Sequence, residues 1–172
     1  MMKKTCFYVL LAAVAFLLAA CTFENNAQYT PRMALSPLRN TCIHGDSVVI
    51  DTLGYRYDKE GKGVMDTIHV GDTVSFSILL DAQGNMLTGF QTVWDTAVMN
   101  LEYLAMDSIR FALDTAKCDI ARGILRFLPG YNQALFPIRY VPRTAATADI
   151  VFEIQSDSKF SPNKFTIQQT AR

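Results

Sequence analysis

Thr73-Val74-Ser75-Phe76-Ser77-Ile78-Leu79-Leu80-Asp81 is the segment that decides the fold. Val74, Phe76, Ile78 and Leu80 alternate with Thr73, Ser75, Ser77 and Asp81. A strand turns successive side chains to opposite faces, so this period of two builds one apolar face for a core and one polar face for water. Gly71-Asp72 precedes the segment and Asp81-Ala82-Gln83-Gly84-Asn85 follows it. Both read as turns, because Gly and Asn accept positive φ at little cost.

Working outward, the same kind of segment recurs between polar turns. Ser47 to Tyr57 is β-rich, and the charged loop Asp58-Lys59-Glu60-Gly61-Lys62-Gly63 closes a hairpin onto Val64 to Val70. Met86 to Thr96 is a further strand, carrying Phe90, Val93 and Trp94. Ile120 to Leu128 and Leu135 to Val141 follow, separated by the turn Pro129-Gly130-Tyr131-Asn132. Near the C-terminus Ala148, Ile150, Phe152 and Ile154 alternate with polar partners, and Phe165 and Ile167 return as a hairpin. Strands at intervals of about ten residues, without the helix-containing rhythm of a parallel sheet, predict an all-β fold. The expected form is an antiparallel, immunoglobulin-like β-sandwich in the broad sense. The mixed segment from Ala97 to Leu113, rich in Ala, Met, Leu and Glu, leaves room for one short helix. The order Cys42, Trp94, Cys118 matches that of antibody domains in kind, but Trp94 lies too far beyond the first cysteine, so the specific signature is rejected.

The N-terminus carries a second message. Met1-Met2-Lys3-Lys4 is a short positive segment, and Cys6 to Ala20 is apolar and free of charge. That run suits a signal-peptide core and is shorter than the roughly 20 residues of a bilayer span. Leu18-Ala19-Ala20-Cys21 then resembles the lipobox of bacterial lipoproteins. The resemblance implies diacylglycerol on the Cys21 sulfur, cleavage before Cys21 and acylation of the new amine. Each buried methylene contributes about 0.8 kcal/mol, so two or three acyl chains hold a domain on a bilayer durably. Thr22 stands where an Asp retains such proteins in the inner membrane, so the implied address is the cell envelope at the outer membrane. The expected organisation is a signal peptide at 1–20, a flexible lipidated tether at 21–41 and a β-sandwich at 42–172. Asn25, Asn26, Gln28, Pro31, Ser36, Pro37 and Asn40 motivate the tether. Gly71 to Phe76 and Phe152 to Asn163 also resemble segments of uncharacterised bacterial surface lipoproteins with a sandwich domain, a likeness that implies no activity and transfers no site residue.

Charge and motifs narrow the chemistry. The chain has 16 basic and 16 acidic residues, and loss of Lys3 and Lys4 leaves a remainder near −2. With no basic stripe, the electrostatic footprint of nucleic-acid binding is missing. Cys42 and Cys118 remain after Cys6 is cleaved off and Cys21 is lipidated, in a compartment that permits a disulfide. A bridge between them contributes roughly 4–5 kcal/mol on the chain-entropy model; the alternative is two separate buried thiols. His44 and His69 stand in no metal-ligand spacing, so no metal and no cofactor are expected. No nucleophile elbow and no phosphate loop occur, and no catalytic residue is assigned. Trp94, Tyr103, Tyr131 and Tyr140 are either sandwich core or an aromatic contact surface. Tyr131, in its Pro-Gly-Tyr-Asn turn, and Trp94 are the candidates for exposure. The expected role is a non-catalytic binding, adhesive or structural module with a protein or glycan partner, held to the membrane by its N-terminal lipid. The alternative is a secreted envelope hydrolase of glycans or peptides, whose carboxylate pair or Ser–His–Asp group would meet only in the fold.

Overall fold

A computed structural model describes residues 28–172 apart from Gly45 and Asp46, with the side chain of His44 also left aside. The expected signal peptide at 1–20 and Cys21 therefore lie outside the described residues. Among the described residues, twelve strands form two sheets packed face to face. In the first sheet the order is β3 (Ser47–Leu53), β2 (Leu38–His44), β6 (Thr73–Asp81), β10 (Gln133–Pro142) and β8 (Met99–Tyr103), with β1 (Arg32–Leu35) also on β6. The second sheet runs β4 (Tyr55–Tyr57), β5 (Gly63–Met65), β12 (Asn163–Thr170), β11 (Thr147–Ser156), β7 (Leu87–Val93) and β9 (Ile124–Arg126). All neighbours are antiparallel except β12 and β5. This is the immunoglobulin-like, antiparallel β-sandwich that the period-two patterning predicts.

β6 is central because its apolar parity is complete. Val74, Phe76, Ile78 and Leu80 are buried, opposite Tyr140, Ile138, Phe136 and Ala134 of β10. The second sheet answers with Phe90, Ile150, Phe152, Ile154 and Ile167. Phe90 sits among three rings, at centroid distances of 5.4 Å to Phe136, 6.2 Å to Phe152 and 6.3 Å to Tyr103. Between Leu87 and Gly89 the pairing of β7 with β11 shifts register, so Leu87 and Phe90 both reach the core despite their odd spacing.

Polar bonds cross the sandwich. The buried Tyr140 hydroxyl donates to Gln169 Oε1 at 2.6 Å, and Gln169 Nε2 donates to the carbonyls of Asp66 and Thr170. Burial holds the Tyr140 hydroxyl above the ordinary tyrosine range, so it stays neutral and able to donate. Replacing Tyr140 by Phe leaves the buried Gln169 oxygen without its donor. The expected loss is about 1–3 kcal/mol, read as a lower urea midpoint at unchanged slope; an unshifted midpoint would show that the bond contributes nothing.

Four local readings need correction. The domain does not begin at 42. Met33 and Leu35 pack on the core from β1, while Leu38, Asn40 and Cys42 face inward from β2. The Ser36-Pro37 break divides two short strands along one edge of β6; it does not mark a tether. The segment Ser47 to Tyr57 is two strands in different sheets, crossing at Gly54. There the Gly54 N–H donates to Asp66 Oδ2 at 2.8 Å, and a Cβ would fall 2.9 Å from that oxygen. The segment Ala97 to Leu113 holds no α-helix. Met99, Leu101 and Tyr103 bury alternate positions in β8, and only 3-10 turns follow, at Met106–Ser108 and Arg110–Ala112. Burial of the strand's inner face outweighs the helix propensity of these residues. Finally, Ile120 to Leu128 opens with a 3-10 turn, Ile120–Arg122, capped by the Asp119 carboxylate on the Arg122 N–H at 3.1 Å, which shortens the strand to β9.

Candidate binding surfaces

The sequence candidates do not converge. Cys42 points inward from β2, and its thiol donates to the Val49 carbonyl at 3.7 Å. Cys118 lies in the crossover from β8 to β9, where its sulfur accepts from the Arg126 N–H at 3.2 Å. Cys42 lies in the first sheet and Cys118 in the crossover beside β9 of the second, and both thiols are free in this structure. Trp94 and Tyr131 sit at opposite ends of β7: Trp94 follows its last residue, whereas the Leu87 N–H donates to the Tyr131 carbonyl at its start. Seven residues of extended chain, roughly 23 Å, separate them. Both side chains are half-buried against the core, and Tyr131 leans on Phe111 with centroids 5.8 Å apart. Tyr103 and Tyr140 are buried. No shared aromatic platform is built from these four.

Polar groups are similarly dispersed. His69 is exposed, with Nδ1 3.8 Å from Asp72 Oδ2, a carboxylate already accepting from the His69 N–H and from Asn40 Nδ2. Among the described residues no three His, Cys, Asp or Glu side chains are placed to hold a metal ion. On the outer face of the first sheet, Arg139 pairs with Glu102 at 2.5 Å and holds that carboxyl below its ordinary range.

Two surfaces remain. The β8–β9 crossover covers the side of the sandwich and leaves a depression of about 560 Å³ lined by Met106, Arg110, Leu113, Thr115, Cys118 and Ile120, with Asp107 and Asp119 at its walls. Both carboxylates have arginine neighbours, Arg110 at 3.9 Å and Arg122 at 3.5 Å. Leu113 anchors its floor and pairs with Phe127.

The second surface is the β2–β3 ribbon. Ile43, Val48 and Ile50 are 75 %, 63 % and 62 % exposed, and Val49 is 40 % exposed. From Ser47 to Thr52 every residue of β3 is exposed, and β3 has a neighbour on one side only. Such an edge is a ready template for another strand, which natural sheets usually blunt with Lys, Pro or a bulge; β3 has none of these. The run Val48-Val49-Ile50 looks like a core strand in the sequence. Its unbroken apolar character is the pattern of a strand buried on both faces, so the sequence carries no signal of an exposed edge there.

The class of protein is therefore an all-β, immunoglobulin-like sandwich domain with an open apolar edge. No protein-family profile matches the chain, and no curated protein is similar to it. Among solved structures, a family 123 glycoside hydrolase from Clostridium perfringens is similar at 9% identity and TM-score 0.45, over 84% of this chain and 27% of that one. The secreted serine protease VesC from Vibrio cholerae is similar at 10% identity and TM-score 0.37, over 69% of this chain and 23% of that one. A PapD-like domain of human CEP192 is similar at 10% identity and TM-score 0.35, over 70% of this chain and 84% of that one. The chain thus spans about a quarter of the length of the two enzymes.

Proposed function

We propose that this protein is a lipid-anchored, non-catalytic binding, adhesive or structural module of the bacterial cell envelope, at the outer membrane. Leu18-Ala19-Ala20-Cys21, after a charged and then apolar N-terminus, supports the anchor and the address. The binding role rests on one observation, the uncovered apolar β2–β3 ribbon. A lone exposed apolar side chain is ordinary, whereas a contiguous group on an unpaired strand marks an interaction surface. Among the described residues no helix is long and apolar enough to cross a membrane.

The anchor is tested in cells fed a clickable fatty acid. The wild-type chain takes up label and sediments with membranes; Cys21→Ser takes up none and moves wholly to the soluble fraction. An unlabelled wild type, or a Cys21→Ser variant that stays with membranes and keeps its label, ends the lipoprotein reading. The binding role is read separately, by cross-linking from photoreactive side chains placed at Ile43 and Val48. Labelling indistinguishable from that at an exposed control, Lys117, would refute it.

A further inference from the structure

We propose that β3 is the seam of a two-fold dimer, in which the β3 strands of two copies pair antiparallel about Val49 and join their first sheets into one. The strand is self-complementary in that register. Val49 faces its own copy, Val48 faces Ile50 of the second copy, and Ser47 faces Asp51 of the second copy. No carboxylate meets a carboxylate, and each Asp51 gains a hydroxyl opposite it. On the outer face, where Ile43 is already paired with Val48, the row continues into Ile50 and Thr41 of the second copy. On the inner face, the Cys42–Val49 pair is extended by the same pair of the second copy. Each exposed β-branched stripe thereby gains a matching stripe as its lateral neighbour, in an isologous arrangement that closes on itself and does not grow into a fibre.

The other edges offer no such match. β4 and β9 are three residues long, and β8 carries Asn100 and Glu102 on its outer side. Among the described edge strands β3 is the longest, is exposed from Ser47 to Thr52 and has no Lys, Pro or bulge; its one charge, Asp51, meets Ser47 of the second copy in this register.

Directly opposed residues of an antiparallel pair have Cα atoms about 4.5–5.5 Å apart, within the range a disulfide spans. The full chain is expressed with Cys42→Ala and Cys118→Ser, so that the new thiol has no neighbour within its own copy. In this background Val49→Cys is expected to give a reducible species of twice the monomer mass, about tenfold more than Thr52→Cys, which lies off the axis. Adding Ile50→Lys should remove that species and bring the sedimentation mass to that of a monomer. Ile50 is 62 % exposed, so the substitution leaves the fold intact, which the far-UV spectrum checks. Equal cross-linking at positions 49 and 52, a Val49→Cys adduct with a different protein, or a wild-type chain that sediments as a monomer throughout would each overturn the proposal.

Discussion

Replacing Phe90 by Ala should cost this domain about 3–5 kcal/mol, the range found when a fully buried phenylalanine is truncated. Phe90 is wholly buried, and its ring is enclosed by Tyr103 and Phe136 of the first sheet and by Phe152, stacked at 11°, within its own sheet. The cavity resists collapse, because the neighbouring rings are held by separate strands and by the Tyr103 hydroxyl, which is bonded to Thr92 Oγ1 at 2.7 Å and to the Gly123 carbonyl at 3.1 Å. A domain of this size has about 5–15 kcal/mol in total. The thermal midpoint should therefore fall by roughly 10 °C or more. Phe160→Ala is the control: its ring is 52 % exposed, and the expected change is within about 0.5 kcal/mol. Calorimetry on both variants decides it, and a Phe90→Ala midpoint within about 3 °C of wild type would mean that the two sheets are not locked through this ring.

Gly123→Ala should be the most damaging change of a single methyl group. Gly123 has φ of +72°, left-handed, where an alanine costs about 1–2 kcal/mol. The added Cβ would also stand 2.5 Å from the Thr92 carbonyl oxygen and 2.7 Å from Trp94 Cζ3. Neither neighbour is free to withdraw. Thr92 is buried and donates its N–H to the Gly123 carbonyl at 2.9 Å, and Trp94 packs on the core. Strain and overpacking together should reach about 3 kcal/mol. The damage should concentrate in the β8–β9 crossover, so hydrogen exchange there should accelerate more than in β6 and β10. Gly61→Ala, also at positive φ (+80°) but with nothing within 4 Å, isolates the backbone contribution. If the two alanine variants lose the same stability, the contact with Thr92 and Trp94 is not what position 123 protects.

The sandwich was legible wherever a strand is buried on one face and wet on the other. Thr73 to Asp81 and Ala148 to Gln155 write that geometry directly as alternation, and both are strands close to the expected limits. What escaped the sequence depends on contacts between distant segments. The Gly54 crossing is set by Asp66, and β1 and β2 are ordered by pairing with β6, so neither carries a strong local signal. The crossover was ambiguous because helix formers occupy a segment whose burial, at Met99, Leu101 and Tyr103, follows a period of two. Trp94 and Tyr131 were reasonable candidates by residue type, but whether two rings share a surface is decided by which end of β7 each occupies. The exposed edge of the β2–β3 ribbon was not legible for the opposite reason. Apolar β-branched residues normally signal a core, and nothing in the order Val48-Val49-Ile50 states that a sheet ends there.

The early start of folded structure sets a length. Lys159 N–H donates to Gln28 Oε1, and Asn163 Nδ2 donates to the Pro31 carbonyl, so ordered contacts reach back to Gln28. If Cys21 bears acyl chains as proposed, only Cys21 to Ala27 lie between lipid and domain, a leash of roughly 25 Å at full extension. A partner of the proposed binding surface would then have to come within about a molecule's width of the headgroups, on the leaflet that holds the anchor, and a graft of ten or twenty extra residues after Ala27 would lengthen that reach without altering the surface itself.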